Sequence, residues 1–103
     1  MSTSSEPAHL SGNHRDTLLQ IFQHPTSHNV EWRAVLSLLE AVGEVEERHD
    51  GKVKVQVGAE TEIFTRPRNK DIDVQTVVDL RRMFADSGYG ELVAQLEAKG
   101  KEV

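Results

Sequence analysis

The sequence predicts an α+β domain: a three-stranded antiparallel meander with helices packed on one face, in the order α, α, β, β, β, α, α. Three observations carry this. Apolar residues recur at helical spacing before Gly43 and again after Asp73. Between them the period falls to two, most cleanly over Lys52–Val57. Asp50-Gly51 and Gly58-Ala59 are turns short enough to send the chain straight back.

Residues 1–13 are serine-rich, contain Pro7 and Gly12 and show no period, so a disordered tail is expected. From His14 to His24, Leu18, Ile21 and Phe22 fall on one helical face, and Pro25 stops that helix. Pro25–Asn29 is a linker ending in Asn29, the expected cap of the next helix, with Glu31 in its first turn. Val35, Leu38, Leu39 and Val42 then give the i, i+3, i+4, i+7 pattern, and Gly43 closes it as a glycine just past a helix does.

A first strand is expected over Glu44–Arg48, supported only by Val45. A second follows over Lys52–Val57 with Val53, Val55 and Val57 inward. A third covers Thr61–Thr65, with Ile63 on one face and Phe64 on the other. Pro67 ends the third strand and Arg68–Asp73 is a polar connection. Asp73 caps a helix carrying Val74, Val77, Val78, Leu80 and Phe84, which Gly88 closes. A last helix over 91–98 buries Leu92, Val93 and Leu96, and 99–103 is expected to fray. Residues 14–98 thus make one domain.

Leu, Ile, Val and Phe supply 27 of 103 residues, enough for a core, and aromatics are only 5%, so valine and leucine fill it. No apolar run is long enough to span a bilayer, so no membrane association is expected. The first residues have neither a basic nor an apolar stretch, which predicts a cytoplasmic protein. With no cysteine there is no disulfide, thiol catalysis or cysteine-bound zinc.

The net charge of −5 argues against indiscriminate nucleic-acid binding, but the charge is uneven. Residues 1–50 carry three basic and eight acidic residues. Within 52–82 there are seven basic and five acidic. Arg66, Arg68 and Lys70 lie two apart around Pro67, Lys52 and Lys54 share the polar face of the neighbouring strand, and Arg81-Arg82 follow on a helix. Such a run suits phosphates. It equally suits a plainly solvated surface.

Other chemistry is thin. His24 and His28 have a metal-ligand spacing, but Pro25 between them breaks the helix that would align them. Glu44, Glu46, Glu47 and Asp50 lack the ordered spacing of a calcium loop and read as a charged strand edge. There is no glycine-rich phosphate loop, and Ser37 sits inside a helix, unlike a nucleophile elbow. No metal and no cofactor is expected. His49, beside the Asp50-Gly51 turn, is the sole candidate for proton transfer near neutrality.

Over residues 31–89 the chain resembles the HicA family, toxin ribonucleases with a fold like the double-stranded-RNA-binding domain. The matching pieces are the helix Glu31–Gly43, the glycine-led strand Gly51–Val57, the stretch Arg66-Pro-Arg-Asn-Lys-Asp71, and the helix through Val77–Asp86 ending in Ser87-Gly88. The resemblance implies an αβββα core and an RNA-facing surface, with the N- and C-terminal helices as additions. It also implies a catalytic histidine two residues after the strand-leading glycine, where this chain has Val53. Fold and surface are therefore expected, and the enzyme is not.

Three readings follow in order. The first is a non-catalytic RNA-binding module using Lys52, Lys54, Arg66, Arg68 and Lys70 on the phosphates of a structured RNA. The second is a protein-interaction adaptor whose acidic first half meets an antitoxin-like or other protein partner. The third is an active HicA-like mRNA endoribonuclease in which His49 replaces the missing histidine.

Overall fold

The computed structural model describes residues 10–101. Helices α1 (Gly12–Ile21) and α2 (Trp32–Val42) precede strands β1 (Glu44–Glu47), β2 (Lys52–Val57) and β3 (Glu60–Thr65). Helices α3 (Val74–Asp86) and α4 (Gly90–Lys101) follow. The expected order of elements is the observed one, and the fold is α+β with a three-stranded antiparallel sheet ordered β1-β2-β3.

The boundaries move for local reasons. Of the tail expected over 1–13, residues 1–9 lie outside the described residues and 10–13 belong to the fold. Leu10 is buried, and Ser11 Oγ accepts the His14 amide at 3.2 Å, so α1 starts at Gly12. Helix α1 ends at Ile21, before the expected His24. Leu18 and Ile21 are fully buried and Phe22 packs at the edge of the core. Of the end expected to fray, 99–101 are helical and 102–103 lie outside the described residues.

Helix α2 is capped by Glu31 rather than Asn29, and Glu31 offers no side-chain cap. A short pairing of Glu31 with Asp71 takes over. The Trp32 amide, one of the helix's orphan donors, donates to the Lys70 carbonyl at 2.8 Å, and the Ile72 amide donates to the Val30 carbonyl at 2.9 Å. Val30, Trp32 and Ile72 are buried around it. Nothing in the local sequence of either segment announces this bridge between residues forty positions apart.

Gly43 is needed for a different reason from the one its position suggests. Its backbone is extended (φ −161°), not left-handed. A Cβ there would lie 2.0 Å from the Gln56 carbonyl oxygen, so only glycine lets the chain pass this close to β2. Gly88 does take the left-handed form (φ 94°) and ends α3. Its amide donates to the Ala85 carbonyl at 3.2 Å and the Tyr89 amide to the Phe84 carbonyl at 2.9 Å, the paired bonds of a Schellman motif.

The register puts Val53 opposite Phe64, Val45 opposite Val55, and Lys54 opposite both Glu46 and Ile63. Directly opposed residues share a face. Val53, Val55, Val57 and Phe64 therefore point one way and are buried in one cluster with Val35, Leu38 and Leu39 of α2 and Val77, Leu80, Met83 and Phe84 of α3. The other face carries Glu44, Glu46, Lys52, Lys54, Gln56, Thr61, Ile63 and Thr65, and Ile63 is 52% exposed. On α3, Met83 is a core residue that the valine pattern hid, whereas Val74 is exposed.

The linker after α1 is tied to α3. Arg81 Nε donates to the Ile21 carbonyl (3.1 Å), and its Nη2 reaches the Gln23 carbonyl (3.3 Å) and Thr26 Oγ1 (3.2 Å). Tyr89 and Val93 bring the start of α4 onto the core. Among the described residues no helix is long and apolar enough to cross a membrane.

Candidate nucleic-acid interface

The turn between β1 and β2 is a three-residue loop, His49-Asp50-Gly51. The Arg48 amide donates to the Lys52 carbonyl at 2.8 Å, Gly51 takes φ 83°, and Asp50 Oδ1 accepts the Lys52 amide at 3.1 Å. The Arg66 amide donates to the Gly51 carbonyl at 2.9 Å, so the last residues of β3 are fastened to this turn. Backbone pairing thus draws Arg48, His49, Lys52 and Arg66 to one end of the sheet, and Arg68 follows two residues on.

Four cations stand there, with Glu47 and Asp50 at the turn and Asp71, Asp73 and Asp79 lining the groove that holds Arg68. Arg66 forms an ion pair with Glu47, both side chains about half exposed. Lys52 Nζ donates to Thr65 Oγ1 at 3.2 Å across the β2–β3 pair. Arg68 lies in an open groove of about 500 Å³ between β3 and the first turns of α3, which also holds Asp71, Asp73 and Asp79. Exposed ion pairs of this kind are worth little and exchange readily for a phosphate oxygen.

The structure does not bring all five expected phosphate-binding residues together. Lys52, Arg66 and Arg68 share the basic end. Lys54 sits further along the exposed face, between Glu46 and Ile63. Lys70 is at the Glu31–Asp71 bridge, its Nζ 3.9 Å from Glu31 Oε2. Arg81 is spent on the linker, and Arg82 lies 3.9 Å from Asp79 on its own helix. Arg48 joins the site unannounced. Extending the hairpin register one pair beyond the strand would have found it, because a three-residue loop places it opposite Lys52.

At the N-terminus of α3, Asp73 accepts hydrogen bonds from the side chain and the backbone amide of Thr76. These hold its carboxyl below the usual aspartate value, against a small opposing effect of burial. This is a helix cap with its acceptor already occupied, and it sets a negative charge beside Arg68.

For proton transfer the arrangement offers little. His49 is exposed at the turn and, among the described residues, has no hydrogen-bond partner to orient it. Val53 is 1% exposed and faces the core, so a side chain at that position does not meet solvent. His24 and His28 are exposed in the linker, and no cluster of three metal-ligating side chains occurs among the described residues. His14 Nε2 lies 2.8 Å from Ser37 Oγ and joins α1 to α2, a contact that sequence spacing does not foretell.

Comparison with protein-family models, curated proteins and solved structures finds no match to this chain.

Proposed function

We propose that the chain is a non-catalytic RNA-binding module of HicA-like type, working in the cytoplasm. Its helices cover one face of the sheet as in a double-stranded-RNA-binding domain, and Arg48, Lys52, Arg66 and Arg68 hold phosphates at the basic end. One observation carries the reading. The bonds Arg48–Lys52 and Arg66–Gly51 bring three cations to one end of the sheet, Arg48 and Lys52 on its exposed face and Arg66 on the other, with Arg68 two residues further on. Basic side chains clustered at an end of the sheet suit phosphate binding, since each neutralised phosphate releases counterions.

The non-catalytic part rests on Val53 and His49. A buried valine transfers no proton, and general acid–base help is typically worth about 10²–10⁴-fold in rate. The parent therefore leaves RNA intact over hours. Cleavage that vanishes in His49→Ala would instead make the protein a ribonuclease.

The acidic first half favours a second reading, a protein-interaction adaptor. Strand β1 presents Glu44, Glu46 and Glu47 exposed along one edge of the sheet. Titration of a fluorescent RNA hairpin separates the two. Saturable binding that weakens in Arg48→Ala/Arg66→Ala/Arg68→Ala supports the RNA module, and no binding by the parent at low salt leaves the adaptor.

A further inference from the structure

The two edges of the sheet are unlike. Edge β1 is three glutamates in four residues, a sequence that repels a second strand. Edge β3 carries no such protection on its exposed face, where Thr61, Ile63 and Thr65 are neutral β-formers and Ile63 is 52% exposed. Its hydrogen-bonding phase follows from one bond. Arg66 donates to Gly51 across the pair, so Phe64, Glu62 and Glu60 turn their backbone groups toward β2. Thr61, Ile63 and Thr65 then direct N–H and C=O at the open edge, beside the groove bounded by Gln75, Thr76 and Asp79 of α3.

We infer that β3 is a self-association site, on which the β3 strand of a second copy of this chain pairs antiparallel about a two-fold axis at Ile63. One register matches the charges and also engages all three outward-directed residues, whereas an axis at Phe64 would set Thr61 against Pro67, which has no N–H. The matching register sets Ile63 against Ile63 of the second copy and Thr61 against Thr65, so that all outward-directed backbone groups exchange bonds. On the other face the same register sets Glu60 against Arg66 of the second copy, with Glu62 diagonal to that arginine. Pairing ends where the chain ends it: the Gly58-Ala59 turn at one side and Pro67, which has no N–H, at the other. The two half-sheets become one six-stranded sheet whose outer edges are the glutamate-rich β1 strands.

The contact is isologous and small, so a weak, concentration-dependent dimer is expected. Sedimentation of the full chain across the micromolar to millimolar range reads it. The parent shifts from monomer to dimer mass. Ile63→Glu faces Lys54 within its own protomer, so the fold tolerates it, but across the axis it opposes itself, and association weakens at least about tenfold. Because the chain has no cysteine, Ile63→Cys gives a disulfide that is necessarily intermolecular on mild oxidation, whereas Glu46→Cys on the β1 edge stays monomeric. A parent that remains monomeric throughout overturns the inference. So does a dimer that Ile63→Glu leaves unchanged, or cross-linking of Glu46→Cys as fast as of Ile63→Cys.

Discussion

The Tyr89 ring stands edge-on to the Phe84 ring, centroids 5.3 Å apart at an interplanar angle of 83°. These two residues also share the Tyr89 amide to Phe84 carbonyl bond, so backbone and rings close the end of α3 together. The Val93 amide donates to the Tyr89 carbonyl at 3.0 Å, which starts α4 from the same point. Tyr89→Ala removes a ring that is 5% exposed and should cost about 3 kcal/mol in urea unfolding, with amide exchange rising first in α4. A loss below about 1 kcal/mol would mean that α4 docks without it.

Gly43→Ala puts a methyl carbon against the Gln56 carbonyl, a backbone atom held by the sheet, so the strand itself must shift. The expected cost is about 2 kcal/mol or more. Gly12→Ala, with nothing within 4 Å of the new carbon, is the matched control and should be neutral or slightly stabilising. Equal effects of the two would contradict the close approach of Gly43 to β2.

Asp73 caps α3 most strongly while ionised. Its carboxyl value is lowered in the fold, so its contribution is complete above the unfolded aspartate value and is lost as pH falls through the folded one. Asp73→Ala should cost about 1 kcal/mol at neutral pH. The gap between parent and variant should narrow in acid, which melting curves from neutral pH down to about pH 3 would show. A gap that does not shrink in acid assigns the loss to something other than the charge on the cap.

Arg81 and Arg82 are adjacent in sequence and opposite in use. Arg81→Ala strips hydrogen bonds from Ile21, Gln23 and Thr26 and should cost about 2 kcal/mol. Arg82→Ala loses only a distant helical ion pair and should stay within about 0.5 kcal/mol of the parent. Thermal unfolding of the two variants side by side checks this.

That pair shows what local patterning reveals and what it hides. Strands with strict alternation, such as Val53, Val55 and Val57, reveal their core face, because the pleat permits only one assignment. Helix ends written in capping residues, Asp73 and Gly88, are equally plain. What stays hidden depends on the distance between segments. The Glu31–Asp71 bridge replaces the cap that Asn29 offers in the sequence, Gly43 answers to Gln56 across a strand pair, and Arg81 serves a linker some sixty residues away. The candidate site was half legible for the same reason. Lys52, Arg66 and Arg68 stood out by their spacing, while Arg48 joined them and Lys54 left only once three strands were paired, and Lys70 was drawn off by the Glu31–Asp71 bridge.

The central claim, a phosphate-binding basic end on an acidic chain, is tested most directly by the salt dependence of affinity for a structured RNA. The parent should bind with an affinity that falls linearly on a log–log plot against salt. Arg48→Ala/Arg66→Ala/Arg68→Ala should flatten that slope by up to about three, near one for each phosphate no longer neutralised. Lys70→Ala, at the Glu31–Asp71 bridge, should leave it unchanged. A triple variant whose slope and affinity match the parent's would contradict the account.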